Sequence, residues 1–330
     1  MSKIITTKTP LRISFAGGGT DLQSAVNAMG EPGMVLNMSI DKYVYITLKK
    51  HSNLFNEKYR LNYSENELTN NRNDIKNRLI KETLSYLNVD ENLYISSIAD
   101  IPAGTGLGSS SAFTIGLLNA LHFYRGDKNI TQYKLAEEAV DIESKRISSS
   151  VGAQDQFGCA IGGLKFLEIC NEHKVNILRR EDNLEKLNFL TENIILVWTE
   201  KTRSAHKILE KQEKSNKSNV KKLLELKKDA INANNFCLKK DLSSLVELIN
   251  ASWMRKKSLV SGISNAEINN TMENLYANNI DGCKLLGAGG GGFIMGFNLK
   301  KIKNLSKQLS KKIVHIKPDI MGSVLLTPKD

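Results

Sequence analysis

The stretch Ile101-Pro-Ala-Gly-Thr-Gly-Leu-Gly-Ser-Ser-Ser-Ala112 sets three glycines and three serines directly before an apolar run, Phe113-Thr-Ile-Gly-Leu-Leu-Asn-Ala-Leu121. Glycines let a backbone take positive φ and approach a ligand closely. Serines cap a helix start and add hydroxyl donors. The pattern predicts a loop whose N–H groups wrap an anion, feeding a helix whose amides and dipole favour phosphate at its N-terminus. A capped helix after a flexible turn has the same composition. Two further glycine clusters, Gly17-Gly-Gly-Thr-Asp21 and Gly287-Ala-Gly-Gly-Gly-Gly292, tilt the balance toward the anion loop.

The chain has 330 residues, long enough for two ordinary domains. A hydrophobic content of 41% and a charged content of 25% are those of a soluble globular protein. The net charge of +11 suits an anionic partner. The basic residues are nevertheless interspersed with acidic ones, as from Lys207 to Lys228, and no arginine-rich tract appears, so no nucleic-acid partner is expected. Solvated helix faces and phosphorylated small molecules account for the lysine excess. Cys159, Cys170, Cys237 and Cys283 form no C-x-x-C pair, which argues against zinc and against a disulfide framework. Residues 1–20 carry neither a signal-peptide pattern nor a spanning helix. The expectation is a cytoplasmic protein with reduced thiols and no membrane partner.

Along the chain, Lys3 to Lys8 and Leu11 to Ala16 alternate like strands, and Met34 to Leu48 is strongly β-prone. A hairpin and loop are expected over 50–75, a helix from Ile75 to Leu87, and a strand from Leu93 to Ile98 feeding the Gly/Ser loop. Helices follow from about Ser110 to Tyr124 and from Gln132 to Ile147. Leu164 starts a strand pair, Ile194 to Thr199 is a strand, and Ser204 to Asn279 is helical. Two strands, Cys283–Leu286 and Phe293–Phe297, flank the last glycine turn. A helix from Lys300 to Lys311 and a strand near Ile313 close the chain. The shift from mixed to mostly helical pattern sets a domain boundary near residue 190, giving domains 1–190 and 191–330.

Gly287 to Gly292 spells G-x-G-x-x-G, but a strand pattern follows it where a dinucleotide fold needs a helix. No G-x-x-x-x-G-K-[ST] occurs, which removes a P-loop. The turn suits backbone approaching backbone, or phosphate, at close range. Phosphoryl transfer needs a phosphate cradle, a magnesium site, a cation on the transferring group and a means of activating the hydroxyl. The Gly/Ser loop supplies the cradle. Glu143, on a predicted helix, and the Ser110 hydroxyl are oxygen donors of the kind Mg²⁺ takes. Asp155, in the small-residue loop Val151-Gly-Ala-Gln-Asp-Gln-Phe157, is a carboxylate that can take a substrate proton, with an Asx-turn as the structural alternative. Arg12, mid-strand between Leu11 and Ile13, needs a carboxylate or phosphate partner if it faces inward.

Three blocks in this order resemble the GHMP kinase superfamily of small-molecule kinases. Pro10-Leu-Arg-Ile-Ser-Phe-Ala-Gly-Gly-Gly-Thr-Asp21 resembles its first motif. Pro102-Ala-Gly-Thr-Gly-Leu-Gly-Ser-Ser-Ser-Ala112 is similar to its P-x-x-x-G-L-G-S-S-A signature, and Lys284-Leu-Leu-Gly-Ala-Gly-Gly-Gly-Gly292 to its third motif. The resemblance implies a two-domain α+β fold: an N-terminal domain like ribosomal protein S5 domain 2 and a ferredoxin-like helical C-terminal domain. It implies ATP and Mg²⁺ as cofactors, a sugar phosphate as the small-molecule partner, and leaves a homodimer open. Carried over by motif, Asp155 and Arg12 are the catalytic pair, and Ser110 and Glu143 hold Mg²⁺. Gly104, Thr105, Gly106, Leu107, Gly108, Ser109, Ser110 and Ser111 wrap the triphosphate. Gly18, Gly19, Thr20, Asp21, Gly152, Gln154, Gly289 and Gly290 surround the acceptor.

In galactokinase-like members the first turn carries Glu-His-Thr-Asp, whose Asp binds sugar hydroxyls. Here Thr20 and Asp21 remain and glycines replace the bulky residues. This form, together with Thr202-Arg-Ser-Ala-His206, Trp253-Met-Arg-Lys-Lys257 and Ser261-Gly-Ile-Ser-Asn265, resembles the D-glycero-D-manno-heptose 7-phosphate kinases. That likeness implies phosphorylation of the C1 hydroxyl to a 1,7-bisphosphate, on the way to nucleotide-activated heptose for bacterial surface glycans. Arg203, Lys256 and Lys257 are the candidates for the 7-phosphate, ahead of Arg255. A fucokinase-like sugar 1-kinase and, more distantly, a non-catalytic sugar and ATP sensor stay open. The adenine pocket is sought between Tyr43 and Arg72, with no residue singled out.

Overall fold

The computed structural model describes residues 4–127, 129–147, 150–202 and 206–326. The first half of the chain runs β1 (Ile5–Ala16), α1 (Gln23–Met29), β2 (Gly33–Lys50), β3 (Tyr59–Asn62), β4 (Asn66–Thr69), α2 (Arg78–Tyr86), β5 (Leu93–Ala99), α3 (Ser109–Tyr124) and α4 (Gln132–Asp141). It continues through α5 (Gln154–Ala160), β6 (Leu164–Ile169), β7 (Val175–Glu181) and α6 (Leu184–Thr191). The second half runs β8 (Ile194–Trp198), α7 (His206–Ser215), α8 (Val220–Lys239), α9 (Leu242–Lys257), α10 (Ala266–Ala277), β9 (Gly282–Leu285), β10 (Phe293–Phe297), α11 (Leu305–Leu309), β11 (Ile313–His315) and β12 (Val324–Leu325).

The first sheet has the order β12-β1-β2-β5-β3-β4, with β6 beside the start of β2 and β7 beside β6. Strand β2 is 18 residues long, so it serves two neighbours: Gly33 to Met38 pair with β6, and Val44 to Lys50 with β5. The second sheet, β11-β8-β10-β9, is antiparallel throughout. The chain changes sheet between Glu181 and Ile194, and β12 then returns to pair with β1.

The two stretches separated by Pro10 form one strand rather than two. The ladder shifts register between Pro10 and Leu11, which accommodates the missing proline N–H. From Ile5 to Thr9 β1 alternates buried and half-buried residues; from Thr9 onward every residue is buried. The inner half of β1 is thus covered on both faces, by α3 and α5 and by α8. Arg12 sits in this doubly covered half. Helix α3 is buried over most of its length, from Ser111 to Phe123, because it is the central helix of the first domain's core.

Several expectations shift. Asp155 stands in the first turn of a short helix, not in a loop, because Phe157, Cys159 and Ala160 bury one side of α5. The helix expected to run from Gln132 to Ile147 ends at Asp141, and a π-helical turn over Ile142–Arg146 follows. The helix expected from Lys300 to Lys311 shrinks to Leu305–Leu309, where Leu305 and Leu309 are its two buried residues. Helix α1 gave no periodic signal because it buries just Ala25 and Val26. All four cysteines are free thiols. Among the described residues no helix is long and apolar enough to cross a membrane.

Lys165 on β6 ties three segments together. Its fully buried ammonium donates to Ser39 Oγ at 2.8 Å, Ile161 O at 2.6 Å and Gly163 O at 2.8 Å. Burial lowers its pKa from 10.5 to about 7. Between these values the unfolded chain binds the extra proton, so Lys165 contributes more stability as pH rises. The stability difference between the wild type and Lys165→Met should therefore grow from pH 7 to pH 10, by up to about 1.4 kcal/mol per unit. Denaturant unfolding across this range measures it, and a pH-independent difference would refute it.

Candidate active site

The Gly/Ser loop joins β5 to α3. Gly104, Gly106 and Gly108 take φ of 75°, 81° and 78°, and Gly108 caps α3 with no side-chain cap bond. The amides of Ser109 to Ser111 open the helix at a cavity of about 670 Å³. Gly104, Gly106, Gly108, Ser109, Ser110 and Ser111 line it. Thr105 and Leu107 are buried beneath the loop and anchor it: Thr105 O accepts from Phe293 N at 3.1 Å, and Leu107 O from Arg12 N at 3.0 Å.

Arg12 organises the floor of the cavity. Its Nε and Nη2 donate to Asp155 Oδ1 at 2.9 and 2.6 Å, and its Nη1 donates to Gly106 O at 2.8 Å. One guanidinium thus fixes the Gly/Ser loop and the Asp155 carboxylate together. Arg12 is 2% exposed, whereas Asp155 keeps 32% of its side chain open. The open carboxylate lines the cavity. A carboxylate so placed can accept a proton from a bound hydroxyl, while the buried cation beside it balances its charge.

Asp21 enters from the first turn. Its Oδ1 accepts from Gly19 N at 2.8 Å. Burial, reinforced by the charge of Asp155, pushes its pKa up. Thr20 pins the turn by donating from its hydroxyl to Gly17 O at 2.8 Å and Met34 O at 3.0 Å. A side chain at Gly152 would place Cβ 1.8 Å from Asp21 Oδ2, so a glycine there is required by space.

The third glycine cluster meets the Gly/Ser loop backbone to backbone. A Cβ on Gly106 would stand 2.5 Å from Leu286 O, and one on Gly287 would stand 2.6 Å from Gly106 Cα. The two sheets are also stitched by Lys284 on β9, whose Nζ donates to Ser14 O at 2.9 Å and Phe15 O at 2.7 Å. Burial, with Lys256 and Arg12 nearby, drives the Lys284 pKa well below its ordinary value.

The family model described as GHMP kinases N terminal domain matches residues 73–163, and that described as GHMP kinases C terminal matches residues 233–315. The chain is 31% identical over 329 residues to the D-glycero-alpha-D-manno-heptose 7-phosphate kinase of Campylobacter jejuni, covering 94% of each. It belongs to the GHMP kinases. A mevalonate kinase from Methanocaldococcus jannaschii is 30% identical over 316 residues, covering 89% of this chain and 96% of its own. The crystal structure of a D-glycero-D-manno-heptose 1-phosphate kinase from Bacteroides thetaiotaomicron superposes with a TM-score of 0.78 at 20% identity, over 99% of this chain and 100% of that one. The fold is the two-domain α+β fold of this family, and the protein is an ATP-dependent kinase.

In this GHMP kinase Glu143 lies in the π-helical turn after α4 and is 3% exposed. Burial, then the charge of Asp155, pushes its pKa up to about 8. Ser111 Oγ donates to Glu143 Oε2 at 3.1 Å, and Ser110 is exposed beside it. Among the described residues no group of three or more His, Cys, Asp and Glu side chains gathers as a metal nest. One buried carboxylate with serine hydroxyls at a helix N-terminus fits a hard cation that takes its remaining ligands from phosphate and water.

Gly19, Asp21, Gly152, Gln154 and Lys256 line the same cavity. Lys256 Nζ donates to Gly287 O at 2.7 Å. Lys257, the next residue of α9, does not line it, because the helical turn carries its side chain away. Gly289 and Gly290 do not line it either. They pack on Ile263, with Gly290 N donating to Ile263 O at 2.8 Å, and Gly287 and Ala288 face the cavity in their place. Arg203 lies outside the described residues. Arg255 is held by Asp229, with Nη1 at 2.9 Å from Oδ1 and 3.0 Å from Oδ2.

The far end of the cavity is lined by Tyr63, Glu65, Lys76, Asn77 and Arg78, of which the last three fall outside the interval searched for a base pocket. Glu67 assembles this end by accepting from Tyr63 Oη, Lys76 N and Asn77 N. The glycine-to-glycine seam gives a direct prediction. Gly106→Ala and Gly287→Ala each combine positive φ with a backbone clash, so each should lower unfolding free energy by about 2 kcal/mol or more. Loss of less than about 0.5 kcal/mol in denaturant melts would remove the seam from the fold's requirements.

Proposed function

We propose that the protein transfers the γ-phosphate of ATP to the C1 hydroxyl of D-glycero-D-manno-heptose 7-phosphate, giving the 1,7-bisphosphate for nucleotide-activated heptose. The observation that carries this reading is the Arg12–Asp155 pair at the junction of the Gly/Ser loop and the Asp21 turn. Asp155 accepts the proton as the C1 oxygen bonds to the γ-phosphorus and the bond to the β–γ bridging oxygen breaks. An anomeric hydroxyl is more acidic than an ordinary alcohol, so the carboxylate needs no large pKa shift. Arg12 holds Asp155 in line and offsets charge on the transferring group.

Ser109 to Ser111 and the glycines around them cradle the triphosphate, and Glu143 with Ser110 or Ser111 would hold Mg²⁺. Bound Mg²⁺ neutralises charge on the phosphates. Asp21 and Gln154 orient sugar hydroxyls, and Lys256 meets the acceptor's own phosphate. The relative with 31% identity supports the heptose phosphate acceptor. The division into domains 1–190 and 191–330 belongs to the same proposal, supported by the change of sheet between Glu181 and Ile194.

Asp155→Asn should lower kcat by at least about 100-fold. Nucleotide affinity should stay within a few-fold, because the ion pair rather than the phosphate cradle is altered. Coupled ADP-release kinetics and nucleotide titration measure the two, and near-normal turnover in this variant would refute the assignment. An acceptor panel of heptose 7-phosphate, mannose 6-phosphate, fucose and mevalonate, with phosphorus NMR of the product, tests the substrate. Turnover confined to fucose or mevalonate would overturn the acceptor and leave the kinase chemistry standing.

A further inference from the structure

The first turn contains three consecutive glycines that are there for different reasons. Gly17 and Gly19 take φ of 84° and 104°, the left-handed range that excludes ordinary side chains. Gly17 is also in backbone contact, since a Cβ there would stand 1.9 Å from Met34 O. Gly18 lies outside that range, so its backbone tolerates any L-residue. Its surroundings are of another kind: the nearest atoms to a Cβ at Gly18 are Lys256 Nζ at 3.2 Å, Gln154 Nε2 at 3.6 Å and Ser14 Oγ at 3.7 Å. All three are polar ends of side chains, converging on one point from β1, α5 and α9.

Ser14 Oγ is buried with no hydrogen-bond partner, and Gln154 turns its amide donor Nε2 toward the same point, its Oε1 being left for a donor such as a sugar hydroxyl. Ser14 is 6% exposed and Lys256 is 8% exposed. A buried hydroxyl is costly without a partner, so Ser14 Oγ beside an ammonium and an amide N–H marks a place for a ligand group. The cluster adjoins the cavity, which Gln154 and Lys256 both line. An ammonium, an amide and a hydroxyl together are donors suited to an anion with several acceptor oxygens.

We propose that Gly18 is a specificity-determining position: its lack of a side chain leaves room for Lys256, which with Gln154 forms a polar notch on the cavity wall, Ser14 beneath it, that takes the phosphate monoester of the acceptor. The inference rests on the sugar phosphate reading above. A side chain at residue 18 fills the notch and displaces the ammonium. The enzyme then loses its preference for a phosphorylated acceptor while its nucleotide cradle, built on the Gly/Ser loop, is untouched.

The test compares the wild type with Gly18→Ala, Gly18→Val and Lys256→Met in the full chain. Heptose 7-phosphate and the same heptose without phosphate are the two acceptors, with MgATP. The wild type should prefer the phosphorylated sugar. Gly18→Val and Lys256→Met should each cut that preference, as the ratio of kcat/KM values, by at least about tenfold, with Gly18→Ala between them and the wild type. The KM for ATP should stay within about twofold. Calorimetric binding of heptose 7-phosphate without nucleotide should weaken in the same order, and thermal melts report folding. Should Gly18→Val fail to fold, Gly18→Ala and Lys256→Met carry the comparison.

A preference undiminished in folded Gly18→Val and Lys256→Met overturns the notch and leaves the acceptor reading intact. A rise in KM for ATP equal to that for the sugar phosphate assigns the cluster to the nucleotide and also overturns it. A wild type that phosphorylates just the unphosphorylated sugar overturns the acceptor reading, and the notch with it.

Discussion

The guanidinium of Arg12 is the interaction on which the site depends. It is buried in the inner half of β1, and its donors are divided between Asp155 and the carbonyl of Gly106. A buried charge persists only when paired and hydrogen-bonded, and removing one partner of such a pair costs about 3–5 kcal/mol. The same requirement that keeps Arg12 satisfied also brings the Gly/Ser loop and the helix bearing Asp155 to one place. Folding and assembly of the site are therefore one event: if α5 or the loop moves away, the cation is left in a dry environment without compensation.

A second constraint acts across the two sheets. The loop of one and the turn of the other approach until Gly106 touches Leu286 and Gly287, a distance no Cβ allows. Lys284 crosses the same seam to the carbonyls of Ser14 and Phe15, at the end of the strand that carries Arg12. The cavity is consequently closed on its floor by backbone and buried cations. Its walls are carried by elements far apart in sequence, from the first turn to α9.

Legibility followed the range of the physics involved. Local signals served well. The β-prone run of β2 and the Gly/Ser run before an apolar helix describe what their own residues do, and the structure has both elements where expected. Pairing decided by distant segments left no such trace. Strand β12, two residues long, exists because β1 offers an open edge, and nothing in Val324-Leu325 announces it. Within the site, Arg12 could be singled out because a charge inside an apolar strand needs a partner. Lys284 and Lys165 are lone lysines in the short apolar segments of β9 and β6, where the same argument applies, but strands of four and six residues give it little pattern to stand on. The glycines Gly289 and Gly290 could not be told from Gly287 by composition. What separates them is which one faces the cavity and which one packs on Ile263, a matter of tertiary placement. Similarly, the choice between Ser110 and Ser111 as the partner of Glu143 turns on a rotation of about 100° per residue at the helix start.

Nearly equal identity to a heptose phosphate kinase and to a mevalonate kinase shows where acceptor choice is not encoded. The Gly/Ser loop lines one part of the cavity, and residues of the first turn, α5 and α9 line another. At that end two glycines do opposite work with the same lack of a side chain. Gly152 makes room for Asp21, whose carboxylate occupies the space a Cβ would need. Gly18 makes room for Lys256. An anion and a cation from distant parts of the chain are thus admitted to one pocket, each by the lack of a side chain rather than by an added one. Changing either glycine changes the charge pattern of the pocket without touching a charged residue, and the Arg12 constellation stays in place.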